Sequence, residues 1–212
     1  MKIERWQPRF IKKAELARIC HQFRREHCAG FDFPLDIELV AEKKLNLHVF
    51  PVGGIRALIG IDVFLSWNLS DIVVDFQEYM DDRYQNRLRF SIAHEVGHFV
   101  LHAGAYKDVD FRSADDYIDA FERLGENAHR TVEWQSNQFA GLVLVPREEL
   151  MVSVGKARRL AEKRNLTGKL KDEPGQLLAL IAQRISREFG VSDQVIDRRV
   201  RDERLWPYGR DE

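Results

Sequence analysis

Residues 10–28 set Ile11, Leu16, Ile19 and Phe23 against Lys12, Lys13, Arg18, Arg24 and Arg25, the period of a helix that docks one stripe and solvates the other. Gly30-Phe31-Asp32-Phe33-Pro34 interrupts that pattern, and residues 35–44 predict a short helix with Ile37, Val40 and Ala41 turned inward. Strands are expected at residues 47–52, 57–64 and 72–76, where apolar runs lie between turn signals at Gly53-Gly54 and Asn68-Leu69-Ser70-Asp71. This predicts a small, mostly antiparallel sheet. A further helical period then brings Phe90, Ala93, Gly97 and Leu101 to one face. Gly97 costs about 1 kcal/mol in a helix interior, so it predicts close approach of a neighbouring backbone or substrate strand.

Residues 103–130 are polar and rich in acid, with Asp108, Asp110, Asp115, Asp116 and Asp119 among Tyr106, Phe111, Tyr117 and Phe121. The spaced oxygens and turn glycine of a calcium loop are absent, which leaves a loop or short helix over a cleft entrance. Residues 133–146 resume a helical period ended by Pro146, and a basic helical stretch follows up to Asp172-Glu173-Pro174-Gly175. Beyond it lie a helix over 176–189, a turn at Gly190, a Ser192 N-cap and a second helix, the outline of a helix-turn-helix. A DNA reader needs donors early on its second helix, where this chain has Asp193, Gln194 and Asp197. Carboxylates repel phosphates, so a structural helical module is favoured over DNA binding.

A chain of 212 residues with 44% hydrophobic content can build one sizeable core and a small added module. The expected division is an N-terminal helical extension over 1–30, a core over 31–150 and the helix-turn-helix-like module over 151–212. A net charge of -1 gives no general attraction to nucleic acid. Cys20 and Cys28 form no disulfide framework, and neither a signal core nor a membrane-length apolar run is visible, so a reducing cytoplasm and no membrane are expected.

One pentapeptide changes the picture most. His94-Glu95-Val96-Gly97-His98 is the H-E-x-x-H pattern, which on a helix projects two imidazoles from one face, about 6 Å apart along the axis, towards a single metal ion. Glu95 lies beside that ion without ligating it, where a carboxylate can take a proton from water acidified by the metal. A zinc site with an open position needs a third protein ligand. His102 lies on the same stripe, yet His94 and His102 are separated by about 12 Å of helix rise, against the roughly 3–3.5 Å between two nitrogens on one zinc. His102 is therefore expected to hydrogen-bond at the helix end. Downstream, Glu133, Asn137 and Ala140 share a helical face, and a carboxylate there would complete a His, His, Glu set, with Asn137 orienting a ligand. On the residues alone Glu133 remains one of 34 acidic side chains.

These two segments resemble the ImmA/IrrE-type zinc metallopeptidases, whose hallmark is R-F-x-x-A-H-E-x-G-H-x-x-L-H followed by E-x-x-A-N-x-F-A-x-x-L-L-x-P. The chain offers Arg89 to His102 for the first, and Glu133, Asn137, Phe139, Ala140, Leu144 and Pro146 for the second. Ser136 stands where Ala is usual and Val145 where Met is common. The resemblance covers approximately residues 33–150. It implies an α+β, minimal zincin-like core with its sheet packed on the motif helix. It also implies one Zn2+ ion on His94, His98 and Glu133, Glu95 as catalytic base, and Asn137 and His102 behind the ligands or against substrate. The implied activity is a metallo-endopeptidase that cleaves a transcriptional repressor carrying its own helix-turn-helix, in stress or mobile-element regulation. Tyr106, Tyr117 and His129 are candidate donors to the oxyanion. The alternative is a DNA- or partner-binding regulator, or a toxin–antitoxin component, that keeps a non-catalytic metal site.

Overall fold

A computed structural model describes residues 8–107, 125–169 and 173–205. The chain is a mostly helical α+β protein with a small mixed sheet. The first helix, α1 (Lys13–His27), is followed by α2 (Ile37–Leu45), β1 (His48–Val52), α3 (Ile55–Ile59), β2 (Val63–Leu65), β3 (Asp71–Asp75), α4 (Phe76–Tyr79) and a 3-10 turn (Asp82–Tyr84). The motif helix α5 (Gln85–Lys107) comes next, then α6 (Glu126–Leu144), α7 (Arg147–Lys163), α8 (Leu166–Lys169), α9 (Pro174–Phe189) and α10 (Asp193–Asp202).

The sheet order is β1-β3-β2, with β1 parallel to β3 and β2 antiparallel to it. This corrects the expectation of a mostly antiparallel sheet: β1 skips its sequence neighbour and pairs with β3, from His48 opposite Asp71 to Val52 opposite Asp75. The strand expected over 57–64 is also corrected. Its first part belongs to α3, bracketed by Gly54 and Gly60, both left-handed at φ 80° and 71°. A glycine at each end lets the backbone turn in and out of one helical turn without a Cβ penalty. Asp75 fastens the turn by accepting from the Arg56 N–H at 3.2 Å and caps α4 through the Gln77 N–H at 3.0 Å. Only Val63–Leu65 remains extended.

The apolar stripes meet in a single cluster. Leu16, Cys20 and Phe23 of α1, Ile37 and Val40 of α2, Leu65, Ile72 and Val74 of the sheet, and Ile92 and Val96 of α5 are all buried in it. So are Phe139 and Val143 of α6, Ile181 and Ile185 of α9, and Ile196 and Val200 of α10. The basic N-terminal helix docks as its period predicts: the Phe23 and Phe139 rings meet edge to face at 5.1 Å, and Arg24 Nη1 donates to the Val143 carbonyl at 2.6 Å. At the other end, the buried Arg199 lies across Gly141 and donates to the Val145 carbonyl at 3.1 Å, where a cation suits the C-terminus of α6. The helix-turn-helix-like pair has the expected punctuation, with Gly190 left-handed and Ser192 accepting from the Val195 N–H. Among the described residues, no helix is long and apolar enough to cross a membrane.

Candidate metal centre

Helices α5 and α6 carry the site, and Gly97 lets them approach. A Cβ built there would lie 3.1 Å from Ser136 Cα and 3.2 Å from both the Ser136 carbonyl and the Phe139 ring. The expectation of a close neighbouring backbone is met by α6 itself. This seam presents Glu133, one turn before Ser136, to the motif histidines. His94 Nε2 and His98 Nε2 are 3.0 Å apart, His98 Nε2 is 3.2 Å from Glu133 Oε1, and His94 Nε2 is 3.3 Å from Glu133 Oε2. The three residues form a group with one donor atom each, all within 4.8 Å of one another.

Three donors crowded in this way need shared protons or a cation among them. Tetrahedral zinc with ligands at 2.0–2.1 Å spaces them by about 3.3 Å, so the donor set fits such an ion. The local electrostatics agree. Burial alone would lower the His94 pKa, but the Glu133 hydrogen bond and the charges of Glu95 and Glu133, with a hydrogen bond to Asn137, hold it above its ordinary value. Burial would raise Glu133, and the two imidazoles outweigh it to bring the carboxyl well below the usual range.

Glu95 keeps an accessible edge, yet the protein packed around it raises its pKa, an effect that the charges of His98 and His94 only partly oppose. The Leu65 N–H of β2 donates to Glu95 Oε2 at 2.8 Å and so leaves the other oxygen for chemistry. Asn137 donates to the Glu133 carbonyl one turn back at 2.8 Å and also hydrogen-bonds to His94. His102 is buried behind the site rather than in it. Its Nδ1 faces His98 Nδ1 at 3.3 Å and its Nε2 faces Gln135 Oε1 at 2.9 Å. Burial pushes the His102 pKa down to about 4.

Sequence reasoning missed two partners, the Leu65 backbone and Gln135. A backbone donor leaves no trace in residue type, whereas Gln135, a polar residue on the buried side of α6, could have been sought as the mate His102 requires. Of the oxyanion candidates, His129 is exposed on α6 one turn before Glu133. The Tyr106 side chain, Tyr117 and the acidic positions 108–119 lie outside the described residues.

The family model Peptidase M78, an IrrE N-terminal-like domain, matches residues 81–201, from the turn before α5 almost to the end of α10. The chain belongs to this family. Membership implies a metallopeptidase-like domain acting on protein, and the histidine and glutamate group suggests a metal within it. The match reaches further towards the C-terminus than the two sequence motifs do, taking in both helices of the helix-turn-helix-like pair. No curated protein matches the chain.

Proposed function

We propose that this IrrE-type domain is a zinc-dependent endopeptidase holding one Zn2+ ion on His94, His98 and Glu133, with Glu95 as its catalytic base. The observation that carries the reading is the convergence of those three donors beside a carboxylate whose pKa is raised. When bound, the metal would polarise the scissile carbonyl and acidify water. Glu95 takes the proton from the attacking water on the oxygen that the Leu65 N–H does not occupy. It then returns that proton to the nitrogen of the leaving amine. A raised pKa suits a carboxyl that must accept and release a proton near neutral pH. The zincin-like character of the core rests on the same feature, a sheet whose edge strand β2 lies against the motif helix. That edge is where an extended substrate backbone is expected to pair.

By family resemblance, the substrate is a cytoplasmic transcriptional repressor with a helix-turn-helix, cleaved in stress or mobile-element regulation. The buried free thiols Cys20 and Cys28 suit a reducing compartment. In this reading residues 31–150 carry the peptidase machinery, flanked by the helical segments 1–30 and 151–212. The C-terminal pair serves structure: α10 turns Ile196, Arg199 and Val200 into the core, while Asp193 and Gln194 face solvent. Glu95→Gln decides the matter. It is expected to bind zinc like the wild type while cleavage of a co-encoded repressor falls at least 100-fold, the lower end of what a positioned acid-base group supplies. A wild type that binds zinc and leaves every such repressor intact would instead favour a regulator or toxin–antitoxin component.

A further inference from the structure

The seam between α5 and α6 continues past the metal centre into a cavity of about 450 Å³, a volume within the range of sites that enclose ligands. The far wall of this cavity is α10. On α5 the lining residues Arg87, Phe90 and Ser91 precede His94 at the steps that return to one helical face. On α6, Asn137 and Gly141 follow Glu133 at the same repeat. Asn137 belongs to both places, since it lines the cavity and hydrogen-bonds to His94. Helix rise therefore starts the cavity about 6 Å beyond the ligands, at Phe90 and Asn137, and carries it to about 12 Å at Gly141. An extended peptide covers that span with about two to four residues.

The walls favour a carboxylate. Arg87, Arg198 and Arg199 line the cavity against a single acid, Asp202. Most of these charges are already engaged. Arg87 pairs with Asp62, Arg199 with Glu203 at 2.8 Å, and Asp202 with Lys13 at 3.3 Å. Arg198 is exposed on the α10 wall and has no hydrogen bond or ion pair among the described residues. A guanidinium of this kind can grip a carboxylate through two parallel N–H donors. Phe90 and Val195, both half-buried, offer apolar surface for the methylenes of the same side chain. Nucleic acid is a poorer occupant. Asp193, Asp197 and Asp202 of α10 balance its Arg198, Arg199 and Arg201, and a helix without net charge does not attract a chain of phosphates.

We propose, resting on the peptidase reading above, that this cavity is the subsite for an acidic side chain of the substrate, about two to four residues from the scissile bond, and that Arg198 selects it. The second helix of the helix-turn-helix-like pair thereby sets specificity as well as closing the core. A first test digests a proteome-derived peptide library with the zinc-loaded full chain and reads the cut sites by mass spectrometry. The wild type is expected to cut where Asp or Glu stands at one fixed position in that range. In Arg198→Glu the preference for acidic over basic residues at that position is expected to fall about 10–100-fold, with Arg198→Gln between the two. Wild-type cleavage without the preference, or an unchanged preference in folded Arg198→Glu, refutes the subsite and leaves the peptidase standing.

A second measurement needs no catalysis. Capped glutamate titrated to millimolar concentrations into the 15N-labelled protein is expected to shift the amide signals of Gln138, Gln194 and Val195, and capped lysine is not. A wild type that cuts nothing yet binds capped glutamate there defeats the peptidase reading and upholds the ligand class. Signals that ignore capped glutamate, or that move only with short duplex DNA, overturn the choice of ligand.

Discussion

Replacing Gly97 by Ala tests whether the helix seam holds the site together. The added Cβ would stand 3.1 Å from Ser136 Cα and 3.2 Å from the fully buried Phe139 ring. Neither neighbour is the loose end of a flexible side chain. Carbon atoms prefer about 3.5–4.0 Å, so α5 and α6 must part by roughly half an ångström. Overpacking of this kind costs about 1–3 kcal/mol. Ala recovers about 1 kcal/mol of helix propensity over Gly. The net change in urea unfolding is therefore expected to be a destabilisation of about 0–2 kcal/mol. The metal site should suffer more, since ligand distances tolerate only about 0.2 Å and Glu133 rides on the displaced helix. Zinc affinity by chelator competition is expected to fall about 10–100-fold, comparable to removing a group behind a ligand. A Gly97→Ala protein that binds zinc like the wild type and gains the full 1 kcal/mol of propensity would refute the claim that this contact positions Glu133.

Two further outcomes follow from buried groups. Ser136 has a fully buried hydroxyl with no hydrogen-bond partner among the described residues, so Ser136→Ala is expected to stabilise the fold by about 1 kcal/mol in the same unfolding assay, and a loss of stability would mean the hydroxyl is bonded after all. Burial pushes Cys20 up to about 12 and Cys28 up to about 11 from an ordinary 9.0, with Arg199 and Arg24 respectively opposing it. The folded state thus binds these thiol protons more tightly than the unfolded chain. Their stabilising contribution is complete below about pH 9 and is lost as pH rises through 11 to 12, which alkaline denaturation can follow. At pH 8 the thiolate fraction alone makes native Cys20 roughly 1000-fold and Cys28 roughly 100-fold slower than free cysteine towards a disulfide reagent. Rapid native labelling would show that burial does not protect them.

Much of the architecture was legible because burial and period coincide. Of the residues expected inward along the first two helical stretches, Ile11, Leu16, Phe23, Ile37, Val40 and Ala41 are buried and Ile19 is half-buried, and β1 and β3 fall within a residue or so of their expected spans. The segment 57–64 misled for a physical reason. Its apolar residues suit a strand or a helix equally, and the helical turn leaves Leu58 82% exposed, so no buried stripe marked it. Sheet order was hidden because adjacent strands with turn signals suggest hairpins, whereas β1 reaches β3 across α3 and β2. The motif histidines are local in sequence and could be paired by spacing alone. Glu133 could not, since its position depends on how two helices pack, and only resemblance singled it out. Gln135, as the partner of His102, depends on tertiary contact still more.

One consequence of α6 concerns how such a chain can change over time. Glu133 and Asn137 occupy one side of this helix, while Val132, Phe139 and Val143 furnish the interior from another. On the proposed reading, loss of the Glu133 carboxylate would silence hydrolysis and leave a sound scaffold, free to serve as a binding protein. Rotating the same helix by one residue, about 100°, would instead ruin interior and reaction centre together. Descendants of this architecture are thus expected to diverge by swapping surface groups on a helix whose phase stays locked.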